Sequence, residues 1–154
     1  MMNLTLRPID KSNWQEIALL KTSDAQKDFL FDNSYSIAES FYCPSSTIQG
    51  IYSANVAVGF LMVESLEEQG KPNEVEILRF MIRADYQNKG YGKRAFSLAL
   101  QHIAIHMRPE SIHICVTPEN VVAHRLYVGF GFKDNGVDEF GQINLILRTN
   151  IDPQ

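Results

Sequence analysis

The segment Gln87-Asn88-Lys89-Gly90-Tyr91-Gly92-Lys93 decides how the rest of the chain is read, because it joins two patterns of different period. Before it, Val75 to Ile82 is a nearly apolar run, broken by Glu76 and Arg79 and free of Gly and Pro. Such a run predicts a strand buried on both faces, the central strand of a sheet. After it, Phe96, Ala99, Leu100, Ile103 and Met107 recur every three or four residues until Pro109, the stripe of a helix that begins near Gly90 and packs on that sheet. Ile112 to Val116 follows as a second buried strand. Strand, helix, strand in this order implies a right-handed crossover with the two strands parallel.

The joining segment has a chemistry of its own. The first backbone N–H groups of a helix have no partner within it, and together with the helix dipole they form a site for phosphate. Glycine at 90 and 92 lets the backbone approach such a group closely, since neither position projects a Cβ and both tolerate unusual φ values. Lys89 and Lys93 add positive charge.

Toward the N-terminus, Leu4, Leu6 and Pro8 alternate with other residues as a short strand, and Asp10, Ser12 and Asn13 cap a helix carrying Trp14, Ile17, Ala18 and Lys21. From Gln26 to Tyr42 the residues Phe29, Leu30, Ile37, Phe41 and Tyr42 predict two short helices broken at Asn33 and Ser34. Ile48 to Tyr52 and Val56 to Val63 form a hairpin with a tight turn at Ser53 to Asn55, and the polar stretch Glu67 to Asn73 is a loop. Toward the C-terminus, Asn120 to Tyr127 is a short helix ended by Gly129. Phe130 with Phe132, and then Ile143 to Leu147, are expected as two closing strands around a turn at Asp138 to Gly141. The fold class is α/β (α+β), with a mixed central sheet of about six to seven strands flanked by about four helices.

Composition sets limits on partners. With 154 residues, 45% hydrophobic and 21% charged, the chain suits one domain spanning 1–154. A formal charge of −4 and the lack of a Lys or Arg cluster argue against nucleic acid or an anionic membrane surface as partner. Cys43 and Cys115 form no C-x-x-C pair, and His102, His106, His113 and His124 share no face with carboxylates at ligand spacing, so no metal is expected. No stretch approaches 18 apolar residues and the N-terminus lacks a signal pattern, so the expected location is cytoplasmic.

Gln87 to Gly92 resembles the acetyl-CoA signature of the GNAT N-acetyltransferase superfamily: Gln or Arg, two variable residues, Gly, any residue, Gly or Ala. Asn120, Ala123, Leu126-Tyr127, Gly129-Phe130 and Gly131-Phe132 resemble the family's second pattern, Asn…Ala…Leu-Tyr…Gly-Phe. The likeness runs from about Leu4 to Leu147. Arg79-Phe80-Met81-Ile82, Tyr86-Gln87, Arg125-Leu126-Tyr127 and Phe140-Gly141 look most like bacterial spermine/spermidine acetyltransferases.

The resemblance implies acetyl-CoA as co-substrate. Its pyrophosphate would lie on the amides around Gln87, Asn88, Lys89, Gly90, Tyr91, Gly92 and Lys93, and its pantetheine arm would pair with the main chain of Phe80, Met81 and Ile82. Asn120 would contact the same group while also serving as an ordinary helix cap. Tyr127 corresponds to the family tyrosine that hydrogen-bonds the departing sulfur. A phenol of pKa about 10 facing a thiol of roughly 8.5 does so more by orientation and charge stabilisation than by proton donation.

An attacking amine with a pKa of about 10.4 must first lose a proton, and Glu76 is the candidate base because a carboxylate in an apolar strand is costly to bury unless paired or wet. Arg79 is its alternative, structural partner. Cys115 reads as a small buried residue, which favours direct transfer over a covalent acetyl-enzyme. The acceptor implied is a polyamine; Glu64, Glu67, Glu68 and Glu74 read either as a solvated loop or as charges that steer it, and Phe29, Phe31, Tyr35, Phe41 and Tyr42 either as helix packing or as a border of its site. A protein N-terminus or lysine as acceptor, and a non-catalytic acyl-CoA sensor, stay open. A homodimer is expected from the resemblance.

Overall fold

The computed structural model describes residues 2–24 and 31–149. Within them lie seven strands, β1 (Leu4–Pro8), β2 (Ser46–Ser53), β3 (Val56–Ser65), β4 (Glu74–Ile82), β5 (Ser111–Val116), β6 (Lys133–Val137) and β7 (Ile143–Arg148). Four helices accompany them, α1 (Trp14–Ala18), α2 (Asn33–Tyr42), α3 (Tyr91–His106) and α4 (Val121–Gly129). The strands form one sheet in the order β1-β2-β3-β4-β5-β7-β6, so the run before the glycine segment is the middle strand, as its sequence predicts. The β4–β5 pair, bridged by α3, is parallel, and every other pair is antiparallel.

Alternation along the strands builds two cores. Leu61 and Val63 of β3 join Val75, Ile77, Ile112, Ile114 and Leu145 under Phe96, Ala99 and Ile103 of α3. The intervening Phe60 and Met62 pack on the opposite face against Ile17, Leu20 and Ile37. Phe96 is the hub of the larger core, with ring centroids 5.1 Å from Phe80, 5.0 Å from Tyr127 and 5.2 Å from Phe130. Truncating such a fully buried ring to Ala costs about 3–5 kcal/mol.

Four local expectations need correction. First, β4 is not buried on both faces. Glu76, Leu78 and Arg79 are only half-buried, because α1 and α2 pack over β2 and β3 while the β4–β5 part of that face stays partly open, and Phe80, packed on Phe96 on the α3 side, is half-buried beside a cavity. Second, Asn33 and Ser34 open α2 instead of breaking a helix. The Asn33 side chain is buried and donates to the Ile17 carbonyl at 2.9 Å, docking the start of α2 onto the end of α1. Of the two helices read between Gln26 and Tyr42, the first lies largely on 26–30, outside the described residues, and 31–32 are not helical.

Third, α1 stops at Ala18 before Lys21, whose carbonyl instead accepts from the Ala84 N–H at 2.9 Å. Fourth, Phe130 and Phe132 precede the strand they were expected to form. Gly131, at φ +100°, reverses the chain after α4 so that the Phe132 N–H reaches the Tyr127 carbonyl and its ring lies under Phe96. Only then does the polar β6 begin.

His102 departs from a simple solvated position. It is half-buried, its Nε2 lies 3.1 Å from Gln49 Nε2 on β2, and its ring stacks on His106 at 4.2 Å. Burial, followed by the His106 charge, lowers its pKa below the ordinary value. The unfolded chain therefore holds the His102 proton more tightly than the folded one. This stabilisation is fully present above about pH 6.5 and is lost as pH falls through the folded value. We expect the unfolding midpoint to drop by a few degrees on acidification through that range, and the drop to be smaller in His102→Gln, as followed by circular dichroism.

Among the described residues no helix is long and apolar enough to cross a membrane.

Candidate active site

The site is made by a misfit in the sheet. Val63 pairs with Ile77 and Met62 with Arg79, which leaves Leu78 as an extra residue on β4. A bulge bends its strand. Pairing with β5 runs from Glu74 opposite Ser111 to Ile77 opposite Ile114 and then stops, although β4 continues to Ile82 and β5 to Val116. From Leu78 onward the two central strands part, and no described strand pairs with that edge of β4. An open strand edge offers donors and acceptors at the spacing of an extended amide chain.

A cavity of about 160 Å³ lies at this parting. Phe80, Met81 and Ile82 form one wall, Gln87, Asn88 and Gly92 close one end, and Asn120 and Tyr127 from the start and body of α4 face them. The geometry of the glycine segment follows from its residues. Asn88 and Gly90 are both left-handed, at φ +60° and +86°, and Gly90 caps α3, so the first N–H groups of α3 emerge where the chain turns back on β4. No heavy atom lies within 4 Å of where a Gly92 Cβ would stand.

The predicted residues divide here. Phe80, Met81, Ile82, Gln87, Asn88, Gly92, Asn120 and Tyr127 share the cavity. Gln87 also buttresses it, its amide donating to the Ile82 carbonyl at 2.9 Å and to Thr22 Oγ1 at 3.1 Å. Asn120 caps α4, accepting from the Ala123 N–H at 3.3 Å. Lys89 turns away to donate to the Asp85 carbonyl, Tyr91 packs edge-on against Tyr86, and Lys93 is exposed on the first turn of α3. Tyr127 is buried, and that burial raises its pKa well above the usual phenol value, so it stays protonated.

Glu76 lies elsewhere. It lines a separate cavity of about 170 Å³ with Cys115, His113 and Asn144, on the sheet face opposite the α3 core. Arg79 is not its partner, because the guanidinium reaches across to Glu39 of α2 at 3.1 Å. Glu76 instead stands opposite Glu64 in the β3–β4 register and 3.5 Å from the Cys115 thiol. Burial raises the Glu64 pKa, with the charges of Glu76, Glu39 and Glu68 adding to it. The Cys115 thiol donates to Asn144 Oδ1 at 2.9 Å, and its pKa is pushed up to about 12, by burial first and Glu76 second.

The remaining candidates scatter. Glu74 pairs with His113 at 2.7 Å, His124 with Asp134 at 2.8 Å, and Glu67 and Glu68 are exposed on a short 3-10 turn. Of the aromatic set, Phe31 stacks on Tyr35, Phe41 and Tyr42 are exposed, and Phe29 lies outside the described residues. Sequence reading missed Thr22, Asp24, Asp32 and Asn33, which with Phe31 and Met81 line a cavity of about 270 Å³. Met81 borders both this cavity and the one at Tyr127. No local signal marked these residues, since a loop and a helix start acquire their meaning from what they pack against.

Residues 7–132 match the sequence profile of the acetyltransferase (GNAT) family. The chain belongs to that family. The reaction class of this GNAT protein is therefore N-acetyl transfer. It is 28% identical, over 150 residues, to the spermine/spermidine N(1)-acetyltransferase of Bacillus subtilis strain 168, an alignment covering 96% of this chain and 99% of the relative. Its fold matches a crystal structure of spermidine N-acetyltransferase from Vibrio cholerae in complex with CoA and spermine, with TM-score 0.76 and 17% identity over 94% of this chain and 95% of that one. An aminoglycoside acetyltransferase in complex with coenzyme A matches comparably, with TM-score 0.74 and 15% identity over 96% and 95%. The GNAT fold is thus common to proteins whose acceptors differ.

Proposed function

We propose that this GNAT protein transfers the acetyl group of acetyl-CoA to a primary amine of a small polyamine such as spermidine or spermine, by direct attack in a ternary complex. The observation that carries the reading is the parting of β4 from β5, with the Tyr127 cavity at one mouth and carboxylates on the opposite sheet face. Acetyl-CoA, when bound, supplies an activated acetyl thioester. The residues present fit it: the N-terminus of α3 with an unobstructed Gly92 suits a pyrophosphate, and the free edge of Phe80 to Ile82 suits the two amides of pantetheine. Tyr127, protonated over the whole physiological range, then offers its hydroxyl as a donor to the sulfur.

The acceptor is read from charge. Asp24 and Asp32 line the cavity that shares Met81 with the Tyr127 cavity, where Lys21 stands 3.9 Å from Asp32 and leaves Asp24 as the carboxylate without that counter-charge, and Glu64 and Glu76 lie further along the same face as Arg79. Carboxylates gathered at the mouth of a cleft raise the local concentration of a polycation. The attacking nitrogen must be neutral, and Glu76 is our candidate to accept its proton, through water given its separate cavity. A thiol with a pKa of about 12 is a poor nucleophile at neutral pH, which supports direct transfer over a Cys115 acetyl-enzyme. The named activity of the Bacillus subtilis relative supports the same acceptor class.

Thiol release from acetyl-CoA tests the reading, with spermine, spermidine, short diamines, an aminoglycoside and lysine-containing peptides compared at equal concentration. We expect release with the polyamines. Release with peptides alone would keep the transferase and replace the acceptor, and silence across the panel with intact acetyl-CoA binding would favour a sensor. Glu76→Gln is expected to slow spermidine turnover mainly at low pH, where the amine most needs a base; an unchanged pH profile would remove Glu76 from the reaction.

A further inference from the structure

We propose that Arg79 is a positioning residue that ties the acceptor wall to the bulge at which β4 leaves β5, a proposal that rests on the acceptor reading above. Three contacts converge on its guanidinium. Nη1 donates to the carbonyl of Leu78, the extra residue of the bulge, at 2.9 Å. Nη2 donates to Glu39 Oε1 of α2 at 3.1 Å. The guanidinium carbon lies 4.6 Å above the ring of Phe31, which itself stacks on Tyr35 at 4.5 Å with the planes 15° apart. Tyr35 and Glu39 are one helical turn apart, so the side chain grips a single face of α2 and the residue that leads into it.

The arrangement is more than a surface ion pair. The Arg79 and Glu39 side chains are 15% and 30% exposed, so the charges are largely withdrawn from water and breaking either partner strands the other. Arg79 Nε is buried with no partner among the described residues. A buried donor left unmatched is costly, and it is retained here because the planar fork is aimed at the Leu78 carbonyl and Glu39 together. The point charge of a lysine cannot repeat that geometry.

The two sides being joined are the ones whose separation governs attack. Phe31 lines the acceptor cavity, and Phe80 and Met81, the next residues after Arg79, line the cavity at Tyr127. An amine held against the first must reach an acetyl group held against the second, and a misplacement of about 1 Å is enough to cost rate. Arg79 reaches neither reacting atom in this reading; it fixes the distance between their supports. Glu39 shares the role as the α2 anchor.

The test uses the full chain, spermidine as acceptor and saturating acetyl-CoA. Arg79→Met and Glu39→Gln are each expected to lower kcat for spermidine roughly tenfold, the scale of one charge-assisted hydrogen bond, with the KM for spermidine changed less, because the link sets the distance between the two supports. Acetyl-CoA affinity by calorimetry should stay as in the parent. The double variant should be no worse than either single one, since both break the same link. Arg79→Lys should recover less than half of the loss.

An unchanged spermidine kcat, an additive double variant, or a parallel loss of acetyl-CoA affinity would overturn the proposal. If the parent protein does not turn over spermidine, the acceptor reading fails on its own. Arg79 is then judged by amide hydrogen exchange, where Arg79→Met must speed exchange in α2 relative to α3, and equal rates would overturn the link.

Discussion

Replacing Gly92 with Asp should abolish acetyl-CoA binding while leaving the fold intact. Gly92 is the second residue of α3 after the Gly90 cap, it lines the cavity at the strand parting, and its missing Cβ faces open space. A carboxylate in the first turn of a helix complements the dipole, so the unfolding midpoint should hold or rise slightly. That same carboxylate would occupy the ground on which a pyrophosphate must settle, and like charges brought together in a binding site cost several kcal/mol, equivalent to a loss of roughly 100-fold or more in affinity. Calorimetric titration with acetyl-CoA checks this, with Gly92→Ala as the smaller steric step. Unchanged affinity in Gly92→Asp would remove the start of α3 from the cofactor site.

Tyr127→Phe should lower kcat by about 100-fold, the lower end of what a positioned proton donor contributes, with acetyl-CoA affinity unchanged. The Tyr127 ring packs against Phe96 at 5.0 Å and Phe132 at 6.2 Å, contacts a phenylalanine keeps, so stability should alter little. Burial raises the tyrosine pKa, so the hydroxyl is a neutral donor throughout and the loss should be constant from about pH 7 to 9. Steady-state rates with the best amine, across that range, decide it. Equal turnover by the two proteins would make Tyr127 a packing residue and nothing more.

The sequence by itself determined the central unit. A nearly apolar strand, a glycine turn and a helix with a stripe at three- and four-residue spacing admit few arrangements, and Gly90 does cap the helix at a φ that favours glycine. Asn120 as cap was legible for the same reason, since it depends on neighbours within a few residues. Only the tertiary structure decided the rest. The bulge at Leu78 is a mismatch between two strands and has no mark within either one. Arg79 could have paired with Glu76 by spacing, yet it chose Glu39, 40 positions away, because α2 docks over the neighbouring strands within reach of the guanidinium. Asn33 looked like a helix break until the Ile17 carbonyl stood within its reach. Contacts between distant segments depend on how whole elements dock, and local propensity holds no record of that docking.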